Sequence, residues 1–104
     1  MSKKLVIDLE PESLNEGFLS TFKVGVSTIL KSLLGIATPA MELVVRGSSD
    51  KVKAFVDALA GEASYMKAFK NYGLDSPQTY RNKKKLDVAI KSFERKTGIS
   101  WPME

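Results

Sequence analysis

Two short stretches, "KLVIDL" (residues 4–9) and "MELVVRG" (residues 41–47), alternate apolar and polar side chains, and a long stretch with helical spacing lies between them. In the first, Leu5, Ile7 and Leu9 share one side and Asp8 takes the other; Pro11 stops the run. In the second, Met41, Leu43 and Val45 alternate with Glu42, Val44 and Arg46. A period of two places successive side chains on opposite faces, so both read as half-buried strands. Between them Leu14, Phe18, Phe22, Val26, Ile29 and Leu33 recur at steps of three and four, one face of a helix from Glu12 to about Leu34. Strands joined through a helix run parallel, with a right-handed crossover, because tight hairpins join only antiparallel neighbours. A sheet of two strands is marginal by itself. It has to be covered by helices or extended by a second copy of the chain.

The middle stretch carries a competing assignment. "STFKVGVSTI" also alternates and is rich in β-branched residues, and Gly17 and Gly25 each weaken a helix by about 1 kcal/mol relative to alanine. Residues 20–28 are therefore readable as a strand. As a helix, the same stretch places Gly17, Thr21, Gly25, Thr28, Ser32 and Gly35 along one flank. Small residues let another backbone come close, either the domain's own sheet or a helix of a second chain.

Two further helices follow. Ser48 or Ser49 can accept the free amides at the start of a helix over Asp50 to about Tyr72. Val52, Phe55, Val56, Leu59, Ala63, Met66 and Phe69 form its apolar stripe, and Gly73 ends it. Ser76 is an N-cap and Pro77 occupies the first helical position, where its missing amide is harmless. The last helix runs to about Thr97, where Gly98 terminates it. The expected order is β-α-β-α-α, an α+β domain with its short sheet packed against helices. With 104 residues, 43% hydrophobic and 27% charged, and without repeats or linkers, residues 1–104 form one globular domain. In the closing "GISWPME", Ile99, Trp101 and Met103 alternate as an edge strand does, and Pro102 suits an edge. Trp101 and Met103 then either pack on their own domain or offer a partner interface.

Composition narrows the chemistry. The chain has no cysteine and no histidine. Disulfides, thiolate metal sites and cysteine nucleophiles are thereby excluded, and the commonest general base is missing. Any metal site would be built from oxygen alone and suit only hard cations. Serine or threonine precedes lysine by three at Ser20–Lys23, Thr28–Lys31, Ser48–Lys51 and Ser64–Lys67. Such a pair serves as nucleophile and base in penicillin-binding enzymes, but their companion motifs are absent. "RGSSDK" sits at a strand-to-helix junction, yet it lacks the phosphate-loop context and Asp50 would repel a phosphate. Glu10, Glu12 and Glu16 suit the start of a helix better than a cation loop. No enzyme activity and no cofactor are expected. In "MSKKLVIDLEPE" the acidic residues interrupt the apolar run too soon for a signal peptide. The longest uncharged run, Ser32 to Met41, is short for a membrane span, so a soluble cytoplasmic protein is expected.

The charge is uneven. Residues 1–50 carry five basic and six acidic side chains, residues 51–104 eleven and six, for an overall +4. Seven basic residues fall within "YRNKKKLDVAIKSFERK", Tyr80 to Lys96. On a helix, Leu86, Ala89, Ile90, Phe93 and Thr97 share the core side. Arg81, Lys84, Lys85, Lys91 and Arg95 lie opposite, with Val88 and Ser92 between them. Lys91, Arg95 and Lys96 favour the helix C-terminus, whereas Lys83–Lys85 lie in the first half, where the dipole does not call for them. The basic face is either an ordinary solvated outer surface or a polyanion site. Two functions are expected: a non-enzymatic interaction module that self-associates as a dimer or larger, or a nucleic-acid-binding accessory protein touching phosphates through Arg81, Lys84, Lys85, Lys91 and Arg95.

Overall fold

In the computed structural model, which describes residues 3–36 and 41–103, β1 (Lys3–Asp8), α1 (Glu16–Leu33), β2 (Met41–Arg46), α2 (Ser49–Tyr72) and α3 (Pro77–Thr97) follow in that order. β1 and β2 form a two-stranded parallel sheet in the register Lys3↔Met41 to Asp8↔Arg46. The α+β class and the β-α-β-α-α order are as the periodicities predict.

Residues 20–28 are helical throughout. Phe22, Val26 and Leu30 are buried at helical spacing, and the hydroxyls of Thr21 and Thr28 donate to the Gly17 and Val24 carbonyls one turn back. The helix begins at Glu16 rather than Glu12. Asn15 is its N-cap, in extended conformation, with its side-chain oxygen accepting the Phe18 amide at 2.8 Å. Leu14 consequently falls outside the helix and is exposed. Gly25 is buried against β1: a Cβ placed there would stand 3.0 Å from Ile7 Cγ1. The small flank thus serves, at this point, the approach of α1 to its own sheet.

Ser48 caps α2 by accepting the Lys51 amide, and Ser76 caps α3 by accepting that of Thr79. Thr79 is buried at this junction, its hydroxyl 2.6 Å from the Gly73 carbonyl. The buried side of α2 differs from the stripe expected from periodicity. Ala54, Phe55, Ala58, Leu59, Glu62, Ala63 and Ala68 are buried, while Val56 and Phe69 are about half exposed. Small alanines turned inward let α2 pack along α3, and that rotation carries the bulkier Val56 and Phe69 to the surface.

The core gathers buried residues from β1, the three helices and the tail, with Val45 of β2 partly buried against it. Its centre is aromatic: Phe22, Phe55, Phe93 and Trp101 pack with ring centroids 5.3 to 6.2 Å apart. Gly98 ends α3 in the left-handed conformation (φ +73°), turning the tail back over the core. Among the described residues this tail forms no strand. It is held by the Trp101 amide donating to Glu94 Oε2 at 2.8 Å, with Ile99 fully buried. Among the described residues no helix is long and apolar enough to cross a membrane.

Candidate functional site

Two surfaces are candidates for a functional site: the outer face of α3 and the edge of β2 away from β1. The first follows from the helix repeat. Leu86, Ile90 and Phe93 are buried, which turns Arg81, Lys84, Lys85, Lys91 and Arg95 outward, and all five are exposed or nearly so. None of them forms an ion pair with a described residue. From Arg81 to Arg95 the array spans about 21 Å of helix at about 1.5 Å per residue. Lys84 lies over the Tyr80 ring at 5.1 Å, and Tyr80 is itself exposed. Val88 is 70% exposed in the middle of the array. Lys83 is placed differently: it pairs with Asp87 at 3.3 Å and lies over Tyr65 of α2. The face can therefore offer five cations and one aromatic ring to a polyanion.

Trp101 and Met103 do not form an exposed patch. Trp101 is 4% exposed and donates its indole N–H to Glu62 Oε1 at 3.0 Å, while Met103 is half-buried against the core. Glu62 is itself buried. A carboxylate inside a core is tolerated only when hydrogen-bonded, and the indole supplies such a bond. The tail therefore completes its own domain, the first of the two placements open to it in the sequence.

The second surface follows from the strand register. The Leu9 amide donates to the Arg46 carbonyl at 2.8 Å. In a parallel ladder this bond sets the alternation: the amides and carbonyls of Glu42, Val44 and Arg46 turn toward β1. Those of Leu43 and Val45 turn to the open edge, and none bonds to a described residue. By the same alternation Lys4, Val6 and Asp8 present the outer edge of β1. Leu5 and Ile7 of β1 share a face with Leu43 and Val45 of β2. α1 covers that face over β1, where Ile7 is buried, but leaves Leu43 41% exposed. The opposite face carries Lys4 beside Glu42, Val6 beside Val44 and Asp8 beside Arg46, and it is largely open to solvent.

Several of the other polar residues singled out in the sequence have structural partners. Ser48 is the α2 cap, Thr28 bonds its own helix, and Lys51 pairs with Glu10 at 3.1 Å. Among the described residues no group of three or more acidic side chains is placed to hold a metal ion. An apolar groove of about 430 Å³ lies between α1 and α2, lined by Ile29, Leu33, Val56 and Leu59 among others. Periodicity alone does not reveal it, because Val56 at its rim comes outward only through the rotation of α2. Comparison with protein-family models, with curated proteins and with solved structures finds no match for this chain.

Proposed function

We propose that this chain is a non-enzymatic interaction module that self-associates by completing its sheet. The observation that carries this reading is the β2 edge, where the backbone groups of Leu43 and Val45 have no partner among the described residues, beside a half-exposed leucine. An unpaired edge is a template for another strand, and folded domains ordinarily blunt or cover it. A sheet of two strands is marginal by itself, and α1 covers it over β1 while leaving Leu43 41% exposed, so added strands bury further apolar surface in both copies. The cysteine-free composition suits a reducing cytoplasm.

A second reading rests on the exposed cations of α3. Arg81, Lys84, Lys85, Lys91 and Arg95 would neutralise phosphates of a nucleic acid with little sequence preference, and Tyr80 would offer a stacking surface at one end. This surface and the β2 edge belong to different elements, so one protein can use both.

Light scattering on the full chain at tens of micromolar, with and without a short DNA duplex at low salt, tests both readings. The first predicts a mass at least twice that of the 11.5 kDa chain without DNA. A mass of one chain at every concentration would end it. The second predicts a heavier species with DNA that is lost as salt rises, and it fails when DNA leaves the mass unchanged.

A further inference from the structure

Resting on the self-association reading, we infer that two copies pair antiparallel through β2, about a two-fold axis at Val44. The register is written in the charges of the strand. β2 reads Glu42, Leu43, Val44, Val45, Arg46, with opposite charges at equal distances either side of Val44. Turned about Val44, Glu42 of one copy faces Arg46 of the second copy, and the reverse pair forms symmetrically. Leu43 faces Val45 of the second copy, and Val44 faces itself. Moving the register by two residues sets Arg46 or Glu42, depending on the direction, against Val44 and loses both ion pairs.

The backbone agrees with this register. Within Glu42–Arg46 only Leu43 and Val45 turn their amides and carbonyls to the edge, and in this pairing they face each other. They form the hydrogen-bonded pairs, while Glu42–Arg46 and Val44–Val44 fall at the non-hydrogen-bonded positions, where side chains come closest. A two-fold axis normal to the sheet keeps the faces of both copies aligned. The product is a four-stranded sheet, β1-β2-β2-β1, with both α1 helices on one face and each Leu43 covered by the second copy. Because the surface is self-complementary, the assembly closes at two chains.

β1 shows a similar charge symmetry, Lys4 and Asp8 about Val6, but its edge is less suited. Asp8 already accepts the Glu10 amide at 2.9 Å, and Ile7 has no apolar surface left to cover. Lys4 is exposed on that edge, and lysine is a common guard of strand edges.

Charge reversal on the full chain tests the pairing. Glu42 and Arg46 are exposed and form no ion pair with a described residue, so Glu42→Arg and Arg46→Glu should leave the far-UV circular dichroism of the monomer unchanged. Each single variant sets like charges opposite one another twice and should weaken the dimer at least tenfold. Mixing the two variants restores both ion pairs, so a heterodimer should form at about wild-type affinity. The double variant Glu42→Arg/Arg46→Glu should dimerise with itself. A wild-type dimer whose single variants associate unchanged, or whose mixture shows no rescue, would overturn the β2 pairing while leaving self-association standing. A wild-type monomer would remove both.

Discussion

Replacing Gly25 with alanine measures how closely α1 lies on β1. The new methyl carbon would stand 3.0 Å from Ile7 Cγ1, 3.1 Å from Ile7 Cδ1 and 3.3 Å from Leu5 Cδ2. Carbon atoms in good contact are about 3.5–4.0 Å apart. Ile7 is buried and has Val45 beside it in the ladder, so it has little room to retreat, and α1 must lift by a few tenths of an ångström. Overpacking of this kind destabilises by about 1–3 kcal/mol. Alanine's better helix propensity returns about 1 kcal/mol. A net loss of about 1 kcal/mol is expected, which in a domain of this size lowers Tm by about 4–8 °C. Gly17→Ala in the first turn of the same helix is the control, since its nearest neighbour is Asn15 Oδ1 at an ordinary 3.4 Å. There the propensity gain stands alone, and stability should rise by as much as about 1 kcal/mol. Urea unfolding followed by far-UV circular dichroism, at one fixed protein concentration and with an unchanged m value, reads both. A Gly25→Ala variant as stable as the wild type would refute the close seating of α1 over β1.

The other variants separate core from surface. Phe93→Ala removes a fully buried ring from the aromatic centre and should cost about 3–5 kcal/mol in urea unfolding, whereas Val88→Ala on the outer face should stay within about 0.5 kcal/mol. Trp101→Phe keeps a ring but withdraws the hydrogen bond to the buried Glu62 carboxylate, so a loss of about 1–3 kcal/mol is expected. A Trp101→Phe variant as stable as the wild type would contradict the tail's anchoring role. If α3 meets phosphates, replacing Lys84 and Lys85 by glutamine should weaken binding to all DNA sequences alike. The salt slope should flatten by about 0.9 for each phosphate left without its lysine, with stability unchanged.

Much of this architecture is legible in the sequence because local chemistry and tertiary packing agree. The Ser48 and Ser76 caps, Pro77 at the start of α3 and Gly98 at its end stand where their backbone preferences place them. The amphipathic split of α3 survives intact, since its core residues are large and its cations numerous. Where packing overrides pattern, periodicity misleads. The buried face of α2 runs through alanines, which carry little signal in a hydrophobic stripe, and through Glu62, whose burial depends on an indole from the distant tail. α1 starts at Glu16 instead of Glu12 because Asn15, in extended conformation, caps it by accepting the Phe18 amide, a choice that apolar spacing does not reveal. The tail alternates like a strand, but a left-handed turn at Gly98 directs Ile99 and Trp101 into the core instead. The symmetric charges of β2 are plain in the sequence. They acquire meaning only when the ladder shows which backbone groups face outward.

Site-resolved amide hydrogen exchange on the full chain, compared between dilute and concentrated samples, tests the open-edge account most directly. Glu42, Val44 and Arg46 already donate toward β1 and should be protected at both concentrations. Leu43 and Val45 should exchange freely when dilute and slow at least tenfold when concentrated. If Leu43 and Val45 stay unprotected in the concentrated sample, or if Lys4, Val6 and Asp8 gain protection in their place, the β2 edge is not where the sheet is completed.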